Sequence, residues 1–224
     1  MQYNGAVKTN LRAFLAPMSC GAAALIVYAG AFQGEFHYDD FLTILANPHL
    51  ESWHTFIGHL DHMVRPVLYA TFLFDRSLYG MNPAGYHLLN LLLHLGSGLL
   101  IYRILSRAVT EEIRLVPFLT ALLFLIHPIT TETVTYISGR ASGLMTFFYL
   151  FSFFLYIKAS EHQDTAKLRR LYLSGSVLSL ILSLGSKETA VTFPLILQLW
   201  DLLIRRLRGP SLRVAVLSRH PPFW

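Results

Sequence analysis

An all-helical, polytopic membrane protein is the fold class this sequence predicts, and three observations predict it. Hydrophobic residues make up 54% of the 224 residues and charged residues only 14%, with a mean hydropathy of +0.47, a balance outside that of soluble domains. The apolar residues gather into runs near 13–33, 86–104, 115–130, 143–158, 171–186 and 190–204, several close to the roughly 20 residues a helix needs to cross a bilayer. The cations then sort by side. With the N-terminus cytoplasmic, Lys8, Arg12, Arg103, Arg107, Arg114, Lys158, Lys167, Arg169, Arg170, Arg205, Arg206, Arg208, Arg213 and Arg219 lie inside, leaving Arg65, Arg76, Arg140 and Lys187 outside. That is the positive-inside distribution. The net charge of +5 is therefore a topology signal and predicts no nucleic-acid partner.

Six transmembrane helices follow, taken in order. Lys8 and Arg12 precede the first run and "AGA" stands at 29–31, as in a signal peptide. The apolar stretch from Phe14 to Phe32 is longer than an ordinary signal core, which predicts a retained helix. It contains the single cysteine, Cys20, so no intramolecular disulfide forms. Residues 34–85 are the expected first external loop, because 34–64 carry no Lys or Arg. After "NP" at 47–48, Leu50, Trp53, Phe56, Ile57 and Leu60 recur at helical spacing and predict an amphipathic helix on the membrane surface. The apolar segment 66–79 is short and carries Asp75–Arg76, as an interfacial or re-entrant helix would. Were it to span, a seven-helix chain with an external N-terminus would place 13 of the 18 cations inside; the cation-free loop favours six. In the second helix His87, Asn90 and His94 share one face, which predicts interhelical hydrogen bonds, with ligand contact reserved for His87 near the outer end. Runs 143–158 and 171–186 are short for a full crossing. The end, 205–224, reads as a basic cytoplasmic tail that has been cut off.

Polar residues recur where outward-going helices end. Asp39, Asp40 and Arg65 stand in the first loop, His127, Glu132 and Arg140 in "HPITTETVTYISGR", and Lys187 and Glu188 in "GSKETAVTFP". Four separated segments placing ionisable groups at one boundary predict an outer polar site. Any one of these residues is equally explained by capping or snorkelling at a helix end. Five histidines, His37, His49, His54, His59 and His62, crowd the first loop, yet no compact ligand spacing such as HExxH appears, so no metal is implied.

These residues resemble a known family. "YDD", "NP", "RP" and "NPAGYHLLNLLLH", then "HPITTETVTYISGR", then "SKETAVTFP" occur in the order found in the membrane half of the transmembrane and tetratricopeptide-repeat O-mannosyltransferases and their bacterial relatives. The resemblance covers nearly all of 34–201 and implies a fold of the GT-C class, with residues 1–224 one partial membrane domain. It implies an enzyme that moves a sugar, mannose by analogy, from a polyprenyl- or dolichyl-phosphate carrier to a protein Ser or Thr hydroxyl on the periplasmic or lumenal face. Membrane lipids, the lipid-linked sugar and an acceptor protein are the implied partners, and no cofactor is implied. The acidic pair Asp39–Asp40 takes the position of the family's catalytic carboxylate, Asp39 being favoured as base. Arg65, Arg140 and Lys187 are the expected cations for the departing phosphate. Glu132, His127 and Glu188 would orient them or contact the sugar. No helical repeat of ~34 residues is present, unlike the family's usual continuation. A transporter lined by the same charges, or a non-catalytic scaffold, is the alternative.

Overall fold

The structure is a computed structural model that describes residues 3–109, 113–162 and 164–207, with side chains at 15–109, 113–162 and 164–203. The predicted basic tail lies outside the described residues from 208 onward. Among the described residues the chain is all-helical. Helix α1 spans Tyr3–Val27, α2 Trp53–Gly58, α3 Pro66–Tyr79, α4 Pro83–Ala108, α5 Val116–Ile126, α6 Glu132–Thr135, α7 Arg140–Glu161, α8 Ala166–Leu184 and α9 Phe193–Leu207.

Every predicted apolar run carries helix, but they differ in reach. α4 and α7 are each long and apolar enough to cross a membrane, and α5 with α6 makes a third candidate, bent by 55° at the break. The bend has a local cause: Pro128 follows His127, whose Nδ1 accepts the Ile129 amide at 3.1 Å and ends the α5 ladder. α3 has 14 residues, about 21 Å of helix and too short for a crossing. The expected amphipathic helix after Asn47 is broken in two. A 3₁₀ turn, Pro48–Leu50, precedes α2, because Ser52 accepts the Thr55 amide at 3.1 Å and restarts the helix as its cap. Leu50 and Phe56 are buried under it, while Trp53, Ile57 and Leu60 stay exposed.

α4 is the central post, touching α1, α3, α5 and α7. Two glycines let its neighbours approach: a Cβ on Gly98 would meet Leu125 of α5 at 2.7 Å, and one on Gly96 would meet Phe147 of α7 at 2.7 Å. α7 and α8 are joined by serines. Ser152 and Ser176 donate to each other's carbonyls at 2.8 and 2.9 Å, Ser179 to Phe148 O at 3.1 Å and Ser183 to Met145 O at 2.9 Å. α4 and α7 run in parallel, tied at their ends by the Arg107–Glu161 ion pair at 3.2 Å. Their starts, at the opposite end, carry the loops that hold the predicted polar residues.

Candidate functional site

The loop after α1 is organised by one buried carboxylate. Asp40 is 0% exposed. Its Oδ2 accepts the His37 amide at 3.0 Å, its Oδ1 accepts the Ser138 amide at 2.8 Å, and the Ser138 hydroxyl donates to the same oxygen. All of its partners come from protein, so Asp40 pins the loop to the "YISGR" segment ahead of α7. Asp39 faces the other way. Its amide donates to Tyr136 Oη at 3.1 Å and its carbonyl accepts from Thr43 N and Oγ1 at 2.8 and 2.7 Å, while its residue surface is exposed. Burial, reinforced by the two aspartates, pushes the Tyr136 phenol above its ordinary range, so it remains a neutral phenol beside them. Within this turn Asp40 is internal and its neighbour Asp39 external.

Arg140, one of the cations expected for the departing phosphate, is held inside the protein. It is 0% exposed. Its Nη1 lies 2.6 Å from Asp75 Oδ2, its Nε donates to Asn90 Oδ1 at 2.7 Å, and its Nη2 donates to Tyr86 O at 2.8 Å. The guanidinium also stacks 4.7 Å from the Phe72 ring. With every side occupied by protein, Arg140 has no open face for a ligand. Its partner Asp75 is 1% exposed, so the Asp75–Arg76 pair marks a buried contact and not merely an interfacial helix. Burial outweighs the pull of Arg140 and raises the Asp75 carboxyl from its ordinary value.

The polar face of α4 ties this hub to the outer loops. His94 Nε2 meets Leu125 O at 3.1 Å, His87 Nδ1 meets Val134 O at 3.0 Å, and Asn90 Nδ2 donates to Tyr136 O and Ile137 O at 3.2 and 3.4 Å. Interhelical hydrogen bonding is thus what His87, Asn90 and His94 do. His87 is buried; a carbonyl only accepts, so its Nδ1 carries the proton. Its Nε2 faces Gly34, where a Cβ would lie 2.9 Å away.

A second cluster forms at the same end. Arg65, just before α3, donates through Nε and Nη2 to Glu188 Oε2 and Oε1 at 3.1 and 2.8 Å, a bidentate clasp open to solvent. Glu188 holds Arg65 above its ordinary value, and Arg65 holds the Glu188 carboxyl below its own. Backbone contact fixes the pair, Val67 N donating to Gly185 O at 3.0 Å. Lys187 donates to Ser142 Oγ at 2.8 Å. Ser142, on the first turn of α7, thus anchors Lys187, while Ser138, just ahead of that helix, anchors Asp40. Beside Arg65, an apolar groove of about 380 Å³ runs between α2, α3 and α8, lined by Phe56, Leu60, Pro66, Val67, Phe74 and Leu182 among others.

His127 and Glu132 are exposed at the α5–α6 bend, His127 acting as a cap. Among the described residues no three His, Cys, Asp or Glu side chains gather as a metal site. Sequence reasoning missed Tyr136, Ser138 and Ser142. Their only signal was the stretch "YISGRAS" leading into α7, where hydroxyls cluster around a helix start.

The curated proteins similar to this chain agree in name. It is 28% identical to human protein O-mannosyl-transferase TMTC4 over 85% of this chain and 30% of that protein. It is 32% identical to human protein O-mannosyl-transferase TMTC1 over 92% of this chain and 26% of that one, and 28% identical to fruit-fly protein O-mannosyl-transferase Tmtc3 over 89% and 25%. The chain thus spans about a quarter to a third of the relatives it matches. No protein-family model matches it, and no solved structure does.

Proposed function

Because this chain is a homologue, along most of its length, of the TMTC protein O-mannosyl-transferases, we propose that it forms the membrane part of a protein O-mannosyltransferase. The observation that carries the reading is the division of labour at the aspartate pair, where a buried, hydrogen-bonded Asp40 fixes a loop that leaves Asp39 exposed. The donor is a polyprenyl- or dolichyl-phosphate sugar, and the acceptor is a protein Ser or Thr hydroxyl. Asp39 takes the hydroxyl proton as the acceptor oxygen bonds to the anomeric carbon. The bond from that carbon to the phosphate oxygen breaks, and the lipid phosphate leaves with its charge held by Arg65 and Lys187.

Arg65 is already forked onto Glu188, so an arriving phosphate takes over a guanidinium that a carboxylate has preoriented. The neighbouring apolar groove suits the isoprenoid chain of such a donor. Arg140 acts as a positioning residue through Asn90 and the Tyr136 and Ile137 carbonyls, and Glu132 and His127 flank the acceptor side. In this reading the chain crosses the membrane six times, with the N-terminus cytoplasmic and the site on the periplasmic or lumenal face. The test is transfer of labelled mannose from polyprenyl-phosphate mannose in membranes carrying wild type, Asp39→Asn or Asp40→Asn. Loss of transfer in Asp39→Asn at unchanged expression supports the assignment; an Asp39→Asn chain as active as wild type rejects Asp39 as base.

A further inference from the structure

Tyr38 is the only non-glycine residue with positive φ among the described residues, at 46°. Glycine, asparagine and aspartate enter that region readily, whereas a bulky aromatic there is strained. Such strain persists only where surrounding contacts over-determine the backbone. Here they do: Asp40 N donates to His37 O at 2.9 Å, His37 N to Asp40 Oδ2 at 3.0 Å, and Asp39 N to Tyr136 Oη at 3.1 Å. The ring gains little within the chain. Tyr38 is 87% exposed, and its ring neighbour His37, at 6.4 Å between centroids, is exposed as well. Glycine would make this turn without strain, and the exposed ring gains little burial within the chain to offset it.

Building on the transferase reading, we propose that the compensation comes from the acceptor: Tyr38 is an aromatic anchor for the polypeptide segment that brings its hydroxyl to Asp39. Tyr38 immediately precedes Asp39 and both are exposed, whereas Asp40 is buried. No residue of 37–42 lines the apolar groove beside Arg65, so the donor's chain and this ring occupy different approaches to the site. Phe41 and Leu42, both exposed, continue the apolar surface along the same loop. Tyrosine suits the task, since it offers a large amphipathic contact with only two side-chain torsions to immobilise.

The test compares wild type, Tyr38→Gly and Tyr38→Phe in membranes, using polyprenyl-phosphate mannose and a synthetic threonine-rich peptide, with thermal unfolding measured alongside. Tyr38→Gly is expected to raise the peptide KM about tenfold, the loss of one good anchor. Its donor KM and kcat should be unchanged and its unfolding midpoint no lower, while Tyr38→Phe stays near wild type. An unchanged peptide KM in Tyr38→Gly, or a rise accompanied by a lower midpoint, overturns the anchor. A wild type that transfers nothing to the peptide overturns the transferase reading and the anchor together, and is seen before any substitution is made.

Discussion

At the scale of single residues, the two aspartates show how adjacent, chemically identical side chains acquire different duties. Asp40 satisfies two backbone amides and a hydroxyl away from water, so removing it strands buried donors, at about 1–3 kcal/mol each. Asp40→Ala is therefore expected to lower stability by about 3 kcal/mol in thermal or denaturant unfolding, whereas Asp39→Asn, on the surface, should stay within ~0.5 kcal/mol of wild type. A similar destabilisation by both would show that the turn carries them symmetrically. The Arg65–Glu188 clasp adds a pH dependence. Arg65 lowers the folded Glu188 carboxyl from its ordinary 4.5, so the clasp's contribution is fully present above that value and is lost as pH falls through the lower folded value. An NMR titration of the Glu188 carboxyl should show a midpoint below 4.5 that returns to the ordinary range in Arg65→Gln.

At the scale of elements, the stripe on α4 and the serines between α7 and α8 follow one rule: where apolar side chains give little preference between neighbours, polar groups seeking carbonyls set the register. Asp75 of α3 and Arg140 of α7 add an ion pair to that register. Breaking a buried pair leaves a bare charge, so Asp75→Leu alone should cost about 3–5 kcal/mol, and Asp75→Leu with Arg140→Met should recover much of it. A double variant no better than the single, measured by unfolding in detergent, would mean that the Arg140 bonds to Asn90 and Tyr86 O dominate. Ser176→Ala removes the hydroxyl bond to Ser152 O but leaves the reciprocal bond onto the Ser176 carbonyl, so it should cost only about 0.6 kcal/mol, the average for such bonds in membranes.

At the scale of the whole molecule, the prediction concerns sides. Cysteines placed singly at Asp61 and Thr189 should react with an impermeant thiol reagent from one side of the membrane, and cysteines at Arg107 and Lys167 from the other; labelling of all four from one side would rule out the six-crossing topology. The sequence by itself determined the helical class, the apolar runs and the cation asymmetry, because these depend on composition and on order along a few turns. It also marked the α4 stripe, since a period of 3–4 residues is visible locally. Only the tertiary structure decided which aspartate is internal, that Arg140 is committed to Asp75, and that Arg65 meets Glu188. Those pairings join residues 98, 65 and 123 positions apart. No local pattern encodes which carboxylate loses its water, because burial is fixed by the segments that fold over it.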